Sequence, residues 1–357
     1  MKIVHTSDLH LTDDEKYQHR WDALKEIVEV FKKEQADILV IAGDLFDSVT
    51  DANKTYEKLR KILDEIQVII LPGNHDNEFY NIEGKHLGSN VTVITSIDAY
   101  LDFDNVRVLG LPYEEGLNTT EKVYEKLRYA SSLKKTDKLN ILLFHGELLS
   151  TSYTTADDFY EKGRYMPVEL ETLNSLGFSY ILAGHFHTRY DVRNMENGYF
   201  IYPGSPVSIS QKEKGKRKIN IVKLGETPKP VELNSFHYIE KEVRLSIDDD
   251  PIERIDTTVQ QTFQESQNSK FLLLLKVTGY FNGAKFSITE QMVNMHLNSL
   301  KRDYNIECQF DAKDIGNIIA NDKLMRKIIE KINSKGLDEE KRYAIIKRLV
   351  DAFLEIK

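Results

Sequence analysis

The sequence predicts an α/β fold: two sheets stacked as a sandwich flanked by helices, then a small α+β domain and a C-terminal helical hairpin. Three observations carry that prediction. Apolar runs of strand length alternate with helical periodicity over residues 2–71, the pattern of a parallel sheet covered by helices. Several of these runs stop at a turn bearing Asp, Asn or His. Gly225, Pro228 and Pro230 then cluster ahead of a second, shorter alternation of strands and helices, as expected of a domain boundary.

Taken in order, Lys2 to Thr6 is the first strand and ends at Ser7-Asp8-Leu9-His10. Trp21, Leu24, Ile27, Val28 and Phe31 fall at helical spacing, which gives an amphipathic helix. Ile38 to Ala42 is a buried strand ending at Gly43-Asp44, and residues 51–65 read as a second helix. Val68 to Leu71 is broken by Pro72-Gly73 just before Asn74-His75-Asp76. The pattern then changes. Val91 to Ile94, Tyr100 to Phe103 and Val106 to Leu109 are short strands, the last two joined by a turn at Asp104-Asn105. A helix over 119–132 precedes Ile141 to Phe144 and His145-Gly146. Tyr180 to Ala183 ends at Gly184-His185-Phe186-His187. Strands at Phe200 to Tyr202 and Ile219 to Leu224 complete a second sheet, mixed or antiparallel.

The expected domains are 1–235, 236–312 and 313–357. In the second, strands at Tyr238 to Leu245, Phe271 to Val277 and Asn305 to Phe310 enclose helices at 252–265 and 288–301. In the third, Ile315, Ile318, Ile319, Met325, Ile328, Ile329 and Ile332 make one helical stripe. Ile345, Ile346, Leu349, Val350, Phe353 and Leu354 make another, with Gly336 as the cap between them.

Bulk properties narrow the function. The 357 residues exceed what one core usually organises. The longest apolar run, Phe271 to Leu275, is too short to span a bilayer. Met1-Lys2-Ile3-Val4 leads straight into Asp8 and His10, so no signal peptide is expected. The single Cys308 excludes an intramolecular disulfide and a thiolate metal cluster; a cytoplasmic location is the simplest reading. A net charge of −9 argues against indiscriminate nucleic-acid binding. Bound cations would neutralise several carboxylates, and residues 313–357 hold 11 Lys/Arg against 8 Asp/Glu.

The residues that follow the strands are Asp8, His10, Asp44, Asn74, His75, His145, His185 and His187. In a parallel sheet the carboxyl ends share one edge, so these side chains can converge. Asp8 and His10 lie two apart and project to the same side of an extended loop; His185 and His187 repeat that spacing. Seven O and N ligands are too many for one tetrahedral zinc. They suit two ions about 3.5–4 Å apart that share the Asp44 carboxylate, hold a phosphate and activate a water. Mixed imidazole and carboxylate ligands suit Mn, Fe or Zn better than Mg or Ca. His75 is the odd one out, placed to protonate a departing alkoxide, a role worth about 10²–10⁴-fold. Asp76 is read as orienting a ligand or its loop.

Asp8-x-His10, Gly43-Asp44, Gly73-Asn74-His75-Asp76, His145-Gly146 and Gly184-His185-x-His187 resemble, in order, the five motifs of the calcineurin-like metallophosphoesterases. Thr6-Ser7-Asp8-Leu9-His10-Leu11, Gly43-Asp44-Leu45-Phe46-Asp47, Gly110-Leu111-Pro112-Tyr113 and Tyr202-Pro203-Gly204-Ser205-Pro206 resemble one branch, the SbcD-type double-strand-break repair nucleases. The motifs cover residues 1–210; residues 236–357 match that branch only in architecture, a capping domain and a helical hairpin. The resemblance implies a metallophosphoesterase sandwich. It also implies one manganese on Asp8, His10, Asp44 and His187 and a second on Asp44, Asn74, His145 and His185, with Fe or Zn as substitutes. His75 would be the catalytic histidine, and Asp47 would help orient it. The implied activity is manganese-dependent 3′-to-5′ exonuclease on duplex DNA and endonuclease on single strands and hairpins. The implied partners are DNA, an SbcC-type coiled-coil ATPase on the C-terminal helices, and a second copy docked through helices flanking the Gly73–Asp76 loop.

Several features read two ways. Lys212, Lys214, Lys216, Arg217 and Lys218 are either a phosphate contact or a solvated hairpin tip. Tyr153, Phe159, Tyr160 and Tyr165 either stack on an unpaired base or pack a loop. The C-terminal stripes either bind a partner or pack internally. The alternative function is a small-molecule phosphodiesterase or pyrophosphatase, which would use the same two ions. What separates the two is the chain after Gly225, which a small substrate does not need. A non-catalytic scaffold is disfavoured because every ligand position holds a competent residue.

Overall fold

A computed structural model of the chain describes residues 1–82, 86–149, 165–188, 190–266 and 269–356. The chain divides between His237 and Tyr238 into two units. In the first, β1 (Lys2–Thr6), α1 (Gln18–Lys33), β2 (Ile38–Ala42), α2 (Val49–Leu63), β3 (Val68–Leu71) and β4 (Val91–Val93) form the expected crossovers. β1 to β4 are parallel, in that order. The second sheet collects β5 (Leu101–Asp102), β6 (Val106–Leu111), β7 (Leu139–His145), β10 (Tyr180–Gly184), β11 (Asp191–Met195) and β12 (Gly198–Tyr202). It is mixed: β6, β7, β10 and β12 are parallel, while β5 and β11 add antiparallel edges. α3 (Thr120–Ser132) and α4 (Leu170–Ser175) cover it, and β8 (Leu148–Leu149) pairs with β9 (Val168–Glu169).

The strand expected at Ile219 to Leu224 belongs to the first sheet, not the second. β13 (Lys218–Lys223) runs antiparallel to β1, with Val222 opposite Ile3, and β14 (Lys229–Glu232) pairs outside it. Both faces of β13 are apolar: Ile219 and Ile221 join the helix-side core, and Val222 joins the inter-sheet core. A strand buried on both sides fits beside β1, which otherwise would be an open edge. The Gly225–Pro230 cluster is therefore the turn into β14 and its first residues, not the boundary. Pro230 sits on the outer strand, where a missing N–H is tolerated.

Period-two alternation sorts the strand residues into layers. Ile3, Val40, Ile69 and Leu71 meet Val108, Ile141, Leu143 and Leu182 between the sheets. Val4, Leu39 and Ile41 face Trp21, Leu24 and Ile27 of α1. Leu142, Phe144 and Ile181 face Val123, Leu127 and Leu173 on the far side. The result is a four-layer α/β/β/α sandwich with the parallel strands of both sheets ending on one edge.

The second unit contains β15 (His237–Leu245) from Tyr238 onward, α5 (Pro251–Glu265), β16 (Phe271–Phe281), α6 (Gly283–Phe286), α7 (Glu290–Asp303), β17 (Ile306–Phe310) and β18 (Lys313–Asp314). Leu273, Leu275 and Val277 pack on Ile255, Val259, Val293 and Leu297. Three helices follow instead of the expected two: α8 (Ile315–Asn321), α9 (Lys323–Asn333) and α10 (Glu339–Ile356). The first stripe is interrupted at Asp322, whose carboxylate accepts the Leu324 and Met325 N–H groups and starts a new helix. Ile315, Met325 and Val350 bury against Ile247, so part of both stripes packs internally. The side chains of Phe353 and Leu354, and the residues Tyr153, Phe159 and Tyr160, lie outside what the structure describes. Of the dimer helices expected beside the Gly73–Asp76 loop, the described residues from 77 to 90 form only a 3-10 turn at Asn77–Asn81.

Candidate metal centre

Five loops at the carboxyl ends of β1, β2, β3, β7 and β10 build the site. The first two are laced together: Asp8 N–H donates to the Gly43 carbonyl at 3.0 Å, and His10 N–H to that of Asp44 at 3.0 Å. Asp8, His10, Asp44 and His185 hold φ values of 54°, 48°, 47° and 114°. Side-chain-bearing residues rarely adopt these angles, which cost about 1–3 kcal/mol each and gather at functional sites. Gly43 has φ 96°, and a Cβ there would lie 1.8 Å from His145 Nδ1. Only glycine lets the β2 loop pass beside that ring.

The loops bring Asp8, His10, Asp44 and His187 together in one group and Asp44, Asn74 and His145 in a second, with the His185 ring beside the second. Ligand atoms of Asp8, His10, Asp44 and His187 all lie within 4.8 Å of one another. His10 Nε2 and His187 Nε2 are 3.2 Å apart, with Asp8 Oδ1 3.6 Å from His187 and Asp44 Oδ2 3.8 Å from His10. Each ring turns its other nitrogen toward a carboxylate: His10 Nδ1 donates to Asp47 at 3.1 Å, and His187 Nδ1 faces Glu213 at 3.4 Å. Those contacts favour Nδ1 as the protonated nitrogen, so in the neutral rings two Nε2 lone pairs face each other beside two carboxylates. Such a set of opposed acceptors fits a divalent cation.

In the second group His145 donates from Nδ1 to the Ala42 carbonyl at 3.0 Å. Its Nε2 faces Asn74 Oδ1 at 3.1 Å and Asp44 Oδ2 at 3.3 Å. The His185 ring centre is 5.5 Å from that of His145, and the His185 N–H donates to both Asp8 oxygens at 3.1 Å. Asp44 is thus common to both groups, where a bridging carboxylate was expected.

The electrostatics follow from this crowding. Burial opposes ionisation of Asp44, but the imidazoles of His145 and His10 hold its carboxyl far below the usual range. Burial likewise opposes charge on His145, yet the Asp44 carboxylate pushes it up to about 9. His187 also reaches about 9, against burial, through Glu213 and Asp8. His185 goes the other way, down to about 3, through enclosure and the field of His145. Carboxylates that pull protons onto ring nitrogens would attract a metal cation in the same way.

His75 is exposed at the mouth of the site. Its N–H donates to Asp44 Oδ1 at 3.0 Å, and its ring Nδ1 to the backbone carbonyl of Asp47 at 3.0 Å. The orienting contact expected from the Asp47 side chain therefore comes from its main chain. The Asp47 carboxylate instead holds His10 and takes a 3.1 Å hydrogen bond from Arg20. Asp76 is fully buried and accepts from Gly73 N–H at 3.0 Å, Phe46 N–H at 3.1 Å and Tyr80 Oη at 3.1 Å. It organises the loop. Burial and the Asp44 charge raise its carboxyl to about 6.

Two residues escaped the sequence reading, and a third was read in another role. Arg20 sits on the buried stripe of α1 and also donates to the His10 carbonyl at 2.6 Å. Glu213 lies inside the lysine cluster, and Arg217, read there as a phosphate contact or part of a solvated tip, is neither: it is buried and donates to the carbonyls of His187, Thr188 and Ser205. A lone acid among five basic residues was the available signal. The site opens into a cavity of about 240 Å³ lined also by Tyr165, Phe186 and Lys212.

The profile of the calcineurin-like phosphoesterase family matches residues 1–189. A curated relative from Staphylococcus epidermidis, the SbcD component of the nuclease SbcCD, is 27% identical over 257 residues, covering 62% of this chain. The match spans 66% of that relative's own length. Among solved structures, a dimetal phosphatase from Danio rerio aligns at 14% identity and a TM-score of 0.43, over 62% of this chain and 91% of that one. A phosphoesterase from E. coli aligns at 15% identity and a TM-score of 0.30, over 63% and 89%. No helix among the described residues is long and apolar enough to cross a membrane. With a family match over more than half its length, the chain belongs to the calcineurin-like phosphoesterases and is a metal-dependent phosphoesterase.

Proposed function

We propose that the protein is a manganese-dependent DNA nuclease that works with a coiled-coil ATPase of the SbcC type. The observation that carries this reading is the second unit, Tyr238–Lys357, added to a phosphoesterase centre that a small substrate could use without it. The relative named as a nuclease component supports it, at 27% identity over 62% of this chain. Cleavage would run 3′ to 5′ on duplex ends and internally on single strands and hairpins. Exposed Leu324 on α9 and Ile345 on α10 would contribute to the ATPase contact. A homodimer and a cytoplasmic setting belong to the same reading.

Asp8, His10, Asp44 and His187 would hold one divalent ion, and Asp44, Asn74, His145 and His185 the other. When bound, the ions supply charge neutralisation on the phosphate and acidity to the attacking water. The chain's own residues do the rest. Asp44 keeps the two groups in register, because it touches both His10 and His145. The Asp47 carbonyl fixes the His75 proton on Nδ1, so a protonated ring presents Nε2–H to the leaving oxygen.

The test incubates the protein and Mn²⁺ with end-labelled linear duplex and with bis-p-nitrophenyl phosphate, with and without the ATPase. Release of nucleotides from the duplex is expected. Turnover of the ester with DNA left intact in every arm would establish the small-molecule phosphodiesterase instead.

A further inference from the structure

We infer that Glu213 is a positioning residue for metal binding, acting through His187, and that the turn after Tyr202-Pro203-Gly204-Ser205-Pro206 serves to deliver it. The inference rests on the reading of Asp8, His10, Asp44 and His187 as the holders of one ion.

The turn brings two buried charges of opposite sign to the same residue. Glu213 and Arg217 are 2% and 3% exposed. Arg217 donates to the His187 and Thr188 carbonyls and to Ser205 Oγ, and Ser205 N–H also donates to the His187 carbonyl, at 3.1 Å. Arg217 thereby fixes the His187 backbone. Glu213 faces the ring: Oε1 lies 3.4 Å from Nδ1. The carboxylate is itself locked. Oε2 accepts from Ser205 Oγ at 2.7 Å and Ile209 N–H at 2.8 Å, and Oε1 accepts from Ser210 Oγ at 3.2 Å. Burying two ionised groups in one short turn is costly. A turn needed only to join strands would not require both. What the pair achieves is a His187 ring held in one tautomer, with Nε2 toward Asp8 and His10. A carboxylate behind a ligating imidazole orients it and raises its basicity, and losing that partner typically weakens metal binding about 10–100-fold.

The test measures Mn²⁺ binding by titration calorimetry and Mn²⁺-dependent turnover of bis-p-nitrophenyl phosphate, with melting in chelator as the check on folding. Glu213→Ala is expected to weaken one ion about 10–100-fold and leave the second within about twofold, because Glu213 bonds to His187 and to its own turn rather than to Asn74, His145 or His185. Saturating Mn²⁺ should restore kcat without changing KM for the ester. Parental affinity for both ions, or equal weakening of both, would overturn the inference. If Glu213→Ala does not fold, Glu213→Gln decides: a loss at one ion of about tenfold, the low end of that range, is expected, and unchanged binding refutes it. Asp8→Ala runs alongside. If it keeps both ions, the ligand reading fails whatever Glu213 does.

Discussion

At the scale of single residues, the centre depends on backbone positions that only particular side chains tolerate. Gly43→Ala would drive a Cβ to 1.8 Å from His145 Nδ1 at a φ of 96°. Neither partner can yield, since His145 is fully buried and tied to Ala42. We expect loss of Mn²⁺ binding and at least a hundredfold fall in ester turnover, read by calorimetry and initial rates; a folded, active Gly43→Ala would contradict the close packing. Asp8 and His75 separate two roles. Asp8→Ala should lose an ion and activity together. His75→Ala should keep both ions and still lose about 10²–10⁴ in turnover, with metal content by mass spectrometry as the control. A His75→Ala protein emptied of metal would move that residue into the ligand set.

At the scale of elements, the motif-bearing loops owe their positions to strands whose character was plain in the sequence. Ile38–Ala42 and Val68–Leu71 are buried throughout, and continuous apolar runs of that length announce parallel strands between two layers. Ile219 to Leu224 was equally plain as a strand, but its partner was not. Either sheet offers an apolar face, and only the antiparallel pairing with β1 decides between them. The C-terminal helices illustrate the converse. Their stripes were legible, yet Met325 and Val350 are 2% and 3% exposed because they pack under Ile247 and Ile315. Met325→Ala should therefore cost the second unit about 2–4 kcal/mol, seen as a lower melting transition by calorimetry, while metal binding in the first unit is unchanged. A neutral Met325→Ala would mean that this face is not closed in solution.

For the whole molecule, the histidines set how stability and metal affinity respond to pH. His145 and His187 rise to about 9 from an ordinary 6.5. A raised folded-state value gives stability that is full below pH 6.5 and is lost as pH climbs through 9. His5 and His185 fall to about 3, so they oppose folding once the unfolded chain takes up protons below pH 6.5. In chelator, the melting temperature should therefore peak near pH 6.5 and decline on both sides. On the proposed ligand assignment, Mn²⁺ would compete for the nitrogens that titrate on the alkaline side. Its apparent affinity should rise between pH 6.5 and 9, with proton release on binding. Calorimetry in buffers of different ionisation enthalpy checks both trends, and a flat affinity across that window would remove the proton competition.

Local patterns in the chain were enough to place the strands of the first unit, the loops that follow them and the kinds of side chain those loops carry, because strand periodicity and turn chemistry survive without knowledge of neighbours. It took the folded arrangement to show which sheet β13 joins and which atom of Asp47 holds His75. The same is true of Glu213, hidden among lysines, standing behind His187. Those outcomes depend on residues far apart in the chain competing for the same buried space and the same unpaired hydrogen-bonding groups, and no local pattern encodes the winner.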